Sequence, residues 1–335
     1  MKLRNRLAKA IGYGRALKIK YFFGKPKPKE IIIDICAACN AACPFCPRMY
    51  MPEDRSKGYM EIELFEFILS EAKKEGITNI RLYSTAEPTL HPKFGELIDL
   101  LKKDDFIISI TTNASLIEKN IDSLMKIDYL KFSIEGWDKE SYEKYRYPLK
   151  FDKIYNNIKL FNKKRKQTQT SPSVSTNLLL TKDTDLEKYM NLWGDMIDDI
   201  QIHFMLEATM YKNGIFIAKK NDEILDKYYD FEQQKENFLC GYPFNILTIA
   251  FDGKIALCCN DFSAEMNIGN IKDGIQKVFQ SQVLTKVRDE FYTQNLDKCK
   301  KCSFFTKPYE KDILKIKEQI SDLDSKYIDK INISF

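Results

Sequence analysis

Ile31-Ile32-Ile33-Asp34-Ile35-Cys36-Ala37-Ala38-Cys39-Asn40-Ala41-Ala42-Cys43-Pro44-Phe45-Cys46 begins as a β-branched apolar run and ends in cysteines spaced C-x3-C-x2-C. The first half reads as a buried strand over 31–35 and the second as the loop that leaves it. A cubane iron-sulfur cluster has four irons and is as a rule held by four thiolates, so three ligands on one short loop leave one iron open to a reactant. Cys36 lengthens the run to C-x2-C-x3-C-x2-C before Pro47, but the bacterial ferredoxin run is ordered x2, x2, x3. A structural zinc site joins two knuckles a dozen or more residues apart, and these cysteines are too compressed for that.

Outward from this stretch, β-rich apolar runs alternate with helical patterns, the signature of a parallel sheet with crossover helices. Strands are expected near 31–35, 79–84, 106–112, 128–134, 173–180 and 200–206. Helices are expected near 61–75, 92–103, 115–126, 138–167 (broken at Pro148) and 184–198. Six β/α units predict an α/β fold, a partial (β/α)6 TIM-like barrel, on which functional residues gather at the C-terminal ends of the strands. From about 235 the pattern changes. Residues 246–251, Asp252-Gly253 and 254–258 read as a hairpin with an Asp-Gly turn, which marks a small C-terminal α+β domain. The expected organisation is a basic segment 1–29, a barrel 30–234, a second domain 235–308 and a terminal helix within 309–335, its helical spacing running over 309–330.

The chain has 335 residues, nine cysteines and a net charge of +5. Residues 1–30 hold ten Lys or Arg against Glu30 alone. That segment reads as a solvated helix or as a contact for an anionic partner such as a membrane surface or lipid-linked phosphate. No aromatic-studded nucleic-acid motif accompanies it, so no nucleic acid is expected. The cysteines fall in two clusters with ligand-like spacing and follow no apolar signal peptide, which points to a reducing cytoplasm. No stretch approaches the roughly 18 uncharged apolar residues of a membrane span.

The three-cysteine loop resembles the cluster loop of radical S-adenosylmethionine (SAM) enzymes, and Phe45 matches the aromatic position of that motif. Where Cys36 stands, the family often has a small hydroxyl residue, so Cys36 reads as a packed thiol. Ser84-Thr85-Ala86-Glu87-Pro88-Thr89 is similar to the family's Gly-Gly-Glu-Pro-like turn, which holds the SAM ammonium, although both glycines are replaced. The resemblance implies SAM contacts at Ser84, Thr85 and Glu87; the plain alternative for Glu87 is a surface carboxylate. Thr111-Thr112-Asn113-Ala114 looks like the family's Thr-Asn-Gly stretch, with Asn113 also able to cap the next helix. Phe132-Ser133-Ile134-Glu135-Gly136 with downstream Arg146 resembles a Ser-x-Asp-Gly segment whose Ser and Arg hold the SAM carboxylate. A guanidinium fork suits that task; a plain surface arginine is the alternative.

Cys240, Cys258, Cys299 and Cys302, with Gly253 and Asn267-Ile268-Gly269-Asn270-Ile271 between, resemble the SPASM auxiliary-cluster domain in its shortened twitch form. The resemblance implies one auxiliary 4Fe-4S cluster on these four cysteines, two clusters in all, with structural zinc as the alternative. Cys259 is left over, either as a packing feature or as a hydrogen-atom donor to a substrate radical. His91 and His203 are too few for a histidine metal site.

For function, the resemblance covers about residues 30–305 and implies a 5′-deoxyadenosyl radical that abstracts hydrogen from substrate. An auxiliary cluster accepting the second electron would make the reaction a dehydrogenation, as in 2-deoxy-scyllo-inosamine dehydrogenase; epimerisation is the variant. The expected substrate is a polar small molecule such as a sugar, cyclitol or nucleotide-linked derivative, and the electron donor a flavodoxin or ferredoxin. Two rivals stand beside this reading: a peptide-modifying enzyme, and a non-catalytic electron carrier, which would leave the Glu87 and Arg146 matches unexplained.

Overall fold

The computed structural model describes residues 26–335 apart from 47, 49–50, 52, 56, 84–85, 169–171, 182, 205–207, 213–214, 220–228, 235–239, 262, 294, 296–298, 300–301, 303–305, 309 and 334–335. Six strands lie side by side in chain order: β1 (Glu30–Ile33), β2 (Asn79–Leu82), β3 (Ile107–Thr112), β4 (Tyr129–Ser133), β5 (Ser173–Leu180) and β6 (Asp199–Phe204). Every neighbouring pair among them is parallel. The crossovers carry α1 (Ile62–Lys74), α2 (Phe94–Lys103), α3 (Ile117–Leu124), α4 (Lys139–Tyr145), α5 (Phe151–Lys166) and α6 (Leu186–Trp193). The mostly parallel sheet with helices between its strands is the α/β, partial-barrel architecture expected.

Two faces of this sheet have different chemistry because side chains alternate along a strand. Ile80, Leu82, Ile108, Ile110, Leu130, Phe132 and Val174 are buried, whereas Arg81, Ser109, Thr111, Lys131, Ser133, Ser175 and Asn177 are only half-buried. The first set faces the helices: the Phe132 ring meets Phe161 of α5 edge-on at 5.8 Å, and Thr176 Oγ1 lies 3.0 Å from the Tyr189 hydroxyl on α6. The second set therefore lines the concave face. Truncating a helix-facing residue such as Leu82 to Ala would cost about 2–5 kcal/mol through the cavity it leaves.

After β6, strands β7 (Ala208–Lys212) and β8 (Ile215–Lys219) form an antiparallel pair, and β9 (Tyr229–Gln234) pairs with the later β12 (Thr306–Pro308). A short helix, α7 (Tyr242–Asn245), leads into β10 (Ile246–Ile249), which turns at Asp252-Gly253 into β11 (Ile255–Ala256). Gly253 has φ +83°, in the left-handed region that an Asp-Gly turn uses. The expected hairpin is present, shorter than its apolar runs, and it does not stand apart from the barrel. Strand β10 adds in parallel to the edge of β1, with Glu30 opposite Ile246, and the sheet becomes nine strands ordered β11-β10-β1-β2-β3-β4-β5-β6-β13.

Helices α8 (Ile275–Phe279) and α9 (Gln282–Thr293) follow the hairpin. The terminal segment differs from the single helix expected over 309–330. It forms α10 (Glu310–Ser321), α11 (Ser325–Ile328) and a last strand, β13 (Ile331–Ile333), parallel to β6. The helix breaks because Asp324 caps a new one, accepting from Lys326 N at 3.1 Å. Tyr327 then packs where Gly194 leaves room; a Cβ there would lie 2.6 Å from the tyrosine ring. Among the described residues no helix is long and apolar enough to cross a membrane.

Candidate functional site

The cysteine loop leaves β1 and is pinned on several sides. Ala38 O accepts from Glu87 N at 3.0 Å, Ala37 O from Arg48 Nη2 at 2.8 Å, and Ala42 N donates to Tyr147 O at 2.6 Å. Asn40 Nδ2 donates to Ser115 Oγ at 2.8 Å and Asn40 Oδ1 accepts from Asn113 Nδ2 at 2.8 Å. The loop is thereby fixed to the C-terminal ends of β2, β3 and β4, where an α/β barrel places its chemistry. Cys36 is buried, and its thiol points at Glu87 O at 3.1 Å and Ala38 O at 3.4 Å. That is the packed thiol expected of it.

Glu87 is 2 % exposed, so the surface-carboxylate alternative falls. Its Oε1 accepts from Thr89 N at 3.1 Å, Thr89 Oγ1 at 2.6 Å and Thr112 Oγ1 at 2.7 Å, while Oε2 accepts from Asn113 N at 2.6 Å. Burial pushes its carboxyl pKa up, against these donors. The carboxylate thus ties the β2 loop to the end of β3. Asn113 Oδ1 accepts from Ser115 N at 3.0 Å, which closes a local turn. That is not the helix cap considered for it, because α3 has Leu116 at its N-cap with no side-chain cap. The Asn113 amide comes within 4.0 Å of Cys39 Sγ. The next residue, Ala114, has φ +64° although it is not glycine.

Beyond β4 the chain is held in a tight turn. Gly136 has φ +116°, and a Cβ on it would stand 2.4 Å from Tyr142 Cα. Tyr189 donates to Ile134 O at 3.1 Å and Trp193 Nε1 to Gly136 O at 3.0 Å. Asp138 and Ser141 form a capping box that starts α4, and the C-cap of that helix is Arg146. Arg146 is 8 % exposed and Glu135 2 %, so neither the surface-arginine alternative nor a solvated acid describes them. They form a buried ion pair, and Arg146 Nη1 also reaches Cys43 Sγ at 3.5 Å. The guanidinium lies 5.3 Å from the centre of the Phe45 ring. Burial opposes its charge, but Glu135 and Cys43 hold the guanidinium protonated. Glu135 is a member of this site that the sequence reading quoted without a role. Its signal was an acid one residue before Gly136, two before the turn into α4.

None of the nine cysteines is disulfide-bonded. Burial pushes Cys39 and Cys43 up and Cys46 to about 12, and the three thiols act on one another electrostatically. They fit an iron-sulfur cluster in donor chemistry, with a guanidinium at Cys43 and an amide near Cys39 to stabilise thiolate charge. Among the described residues no three His, Cys, Asp or Glu side chains gather around a single ion; the ligands of a four-iron cube bind separate irons and stand farther apart than those of one zinc. Ser133 ends β4 on the concave face. Ser84 and Thr85 lie outside the described residues.

The second cysteine set forms around the hairpin. Cys240 precedes α7, Cys258 and Cys259 follow β11, and Cys302 N donates to Cys299 O at 2.8 Å. Cys240, Cys258, Cys259 and Cys302 act on one another electrostatically; burial pushes Cys240 up to about 12 and Cys259 to about 11. Asn260 Nδ2 points at Cys302 Sγ at 3.5 Å. Cys259 Sγ accepts a hydrogen bond from the Tyr242 hydroxyl, which also acts electrostatically on Tyr83 just after β2. Asp261, fully buried, receives Leu257 N and Glu265 N at 2.9 Å each and so shapes the Cys258-Cys259 turn.

Of the two histidines, His91 is buried and satisfied: Nδ1 accepts from Lys93 N at 3.1 Å and Nε2 is 2.9 Å from Met60 O. His203 stands on the concave face of β6, half-buried, its pKa lowered by burial and by Lys131.

The profile of the Radical SAM superfamily matches residues 33–192, and that of the SPASM iron-sulfur cluster-binding domain matches residues 240–303. A Pyrococcus furiosus protein, the tungsten-containing aldehyde ferredoxin oxidoreductase cofactor-modifying protein, is 24% identical over 258 residues, covering 69% of this chain and 70% of that one. Streptococcus suis SuiB bound to S-adenosylmethionine is similar with a TM-score of 0.58 at 17% identity, over 93% of this chain and 80% of that one. BtrN in complex with AdoMet and 2-DOIA is similar with a TM-score of 0.53 at 17% identity, over 82% of this chain and 93% of that one. At these identities the two structures speak for the fold.

Proposed function

This chain is a radical SAM protein with a C-terminal SPASM iron-sulfur domain, and on that premise we propose that it removes hydrogen from a polar small molecule, in a net dehydrogenation or an epimerisation. Its cofactors are SAM and 4Fe-4S iron-sulfur clusters. When bound, cluster and SAM supply one-electron cleavage of the sulfonium and with it a hydrogen-abstracting 5′-deoxyadenosyl radical. The observation that carries the reading is the convergence of Arg146 on Cys43 and of Asn113 on Cys39 at one end of the sheet.

In this reading Cys39, Cys43 and Cys46 hold the first cluster, with Phe45, Glu87, Asn113, Ser133 and Arg146, together with Ser84 and Thr85, around SAM. Arg146 orients the SAM carboxylate, and Glu87 fixes the loop against which the ammonium lies. Cys240, Cys258, Cys299 and Cys302 hold the auxiliary cluster, which Asn260 supports by its contact with Cys302. A flavodoxin or ferredoxin supplies electrons, and nine cysteines without a disulfide suit a reducing cytoplasm. The half-buried polar concave face suits a small polar substrate, in keeping with the cofactor-modifying name of the Pyrococcus protein.

Whether hydrogen returns to the substrate turns on Cys259. An S-H bond is weaker than most C-H bonds, so a thiol near the substrate can give a hydrogen atom back; a dehydrogenase needs no such donor. The preferred reading is dehydrogenation. Anaerobically reconstituted protein with dithionite and SAM is expected to release 5′-deoxyadenosine, and its absence from cluster-loaded protein overturns the radical reading. With substrate in deuterated water, a product lighter by two hydrogens supports dehydrogenation. Cys259-dependent deuterium uptake at an inverted carbon replaces it with epimerisation.

A further inference from the structure

On the concave face an ammonium lies without a carboxylate at ion-pair distance among the described residues; Asp199 acts on it only from farther away. Lys131, in the middle of β4, is flanked in register by Thr111 of β3 and Ser175 of β5. Its Nζ donates to Gln201 Oε1 at 2.7 Å, a bond that spans β5 and sets both side chains on this face. Among the described residues no carboxylate lies within 4.0 Å of that ammonium. The other charged or titratable groups along the face are otherwise engaged. Arg81 is bound to Glu30 at 2.6 Å and to the Tyr83 hydroxyl at 2.9 Å. Asp199, at the start of β6, accepts from the neutral amide of Asn332 and acts on Lys131 from beyond ion-pair distance, and burial together with Lys131 favours the neutral form of His203.

Beside Lys131 stands a second incomplete group. Asn177 is adjacent in register to Ser133 on one side and Gln201 on the other. Its Oδ1 is buried and accepts no hydrogen bond among the described residues. Leaving a buried acceptor unpaired is costly, so a native site of this kind calls for a donor. An ammonium without a carboxylate calls for an anion. Together the two ask for one ligand with an oxyanion and an adjacent O-H or N-H.

We propose that Lys131, Asn177 and Gln201 form the far end of the substrate site and anchor a hydroxylated small molecule through its carboxylate or phosphate. The proposal rests on the reading that the concave face receives the substrate. Lys131 precedes the end of β4 by two residues, which sets it about 7 Å below the level of Ser133. An anion held there leaves the rest of the molecule to extend toward the strand ends, where Cys43 and Arg146 lie. Binding energy from this remote group would hold the reacting C-H bond in place.

The test is calorimetric titration of the anaerobically reconstituted holoenzyme with glycerol 3-phosphate, glycerate and neutral glycerol. At least one anion is expected to bind at least about tenfold more tightly than glycerol, and Lys131→Met to weaken it by about tenfold or more. Lys131→Arg, which keeps the charge, is expected to stay within about threefold and shows that the site still folds. Preference for the phosphate or for the carboxylate identifies the anion, and either supports the proposal. No measurable anion binding, anions no better than glycerol, or Lys131→Met binding as the parent does would overturn it. Release of 5′-deoxyadenosine by the parent protein reads the radical reaction separately, so anion binding without that release sinks the reaction and keeps the anchor.

Discussion

Arg146 and Glu135, eleven residues apart on either side of α4, form an ion pair removed from solvent, and the same guanidinium touches Cys43. A buried pair of this kind is dangerous to break by halves. Glu135→Ala leaves a buried guanidinium uncompensated and is expected to cost about 3–5 kcal/mol by chemical denaturation, whereas the double variant with Arg146→Met should cost less than Glu135→Ala alone. If the two changes simply add, the pair contributes no coupling and Arg146 is held by other contacts. Arg146→Ala alone is expected to weaken SAM binding with iron content kept.

Iron analysis separates the two cysteine sets. Reconstituted protein is expected to hold about eight irons and eight sulfides, and replacement of Cys39, Cys43 and Cys46 together by Ala to leave about four. Zinc in place of the remaining irons would remove the auxiliary cluster from the account.

The turn after β4 tolerates no side chain. Gly136→Ala puts a methyl against the Tyr142 backbone at 2.4 Å with φ at +116°, so α4 must shift and carry Arg146 with it. A loss of stability of about 2 kcal/mol or more is expected, with SAM affinity falling in the same variant. Unchanged affinity at full fold would show that the position of α4 does not govern the cofactor.

Ala114 offers the opposite case. It sits buried at φ +64°, a conformation glycine adopts without strain. Ala114→Gly trades backbone relief of about 1 kcal/mol for a lost buried methyl of similar size, so stability should move by less than about 1 kcal/mol. Ala114→Val, β-branched at the same φ, should cost several times as much; equal effects of the two would mean that the backbone relaxes.

Stability should also carry a pH signature from Asp261. Burial raises its pKa from 3.8 to about 6 against three backbone donors. The folded state thus binds a proton that the unfolded chain releases, and stability from this group is present below the unfolded pKa and lost as pH rises through about 6. Between pH 7 and pH 5 the parent should gain about 1 kcal/mol relative to Asp261→Asn, and a flat difference would remove Asp261 as the titrating group.

The barrel strands were legible because each is a short apolar run whose alternation matches its two environments, most plainly in Tyr129-Leu130-Lys131-Phe132-Ser133. The cysteine loop was legible from spacing alone. Pairing across long separations was not: nothing in Ile246-Leu247-Thr248-Ile249 says that its neighbour is β1, because an apolar strand of this composition fits any open edge. Strand β13 was hidden for a related reason, Ile331-Asn332-Ile333 being too short to show a period after a helical stretch. Glu135 was left without a role because its one mark, an acid directly before Gly136, does not tell which arginine it meets. Asn177 and Gln201 are likewise ordinary strand residues until register brings them beside Lys131.

The pairing of Glu30 with Ile246 spans 216 residues. During synthesis at about 5–20 residues per second, the free flank of β1 waits roughly ten to forty seconds for its neighbour to emerge from the ribosome. Throughout that interval the nascent chain presents an apolar strand with unpaired amides directly before its thiol loop. That edge therefore stays open to pairing with other chains until translation has passed the hairpin.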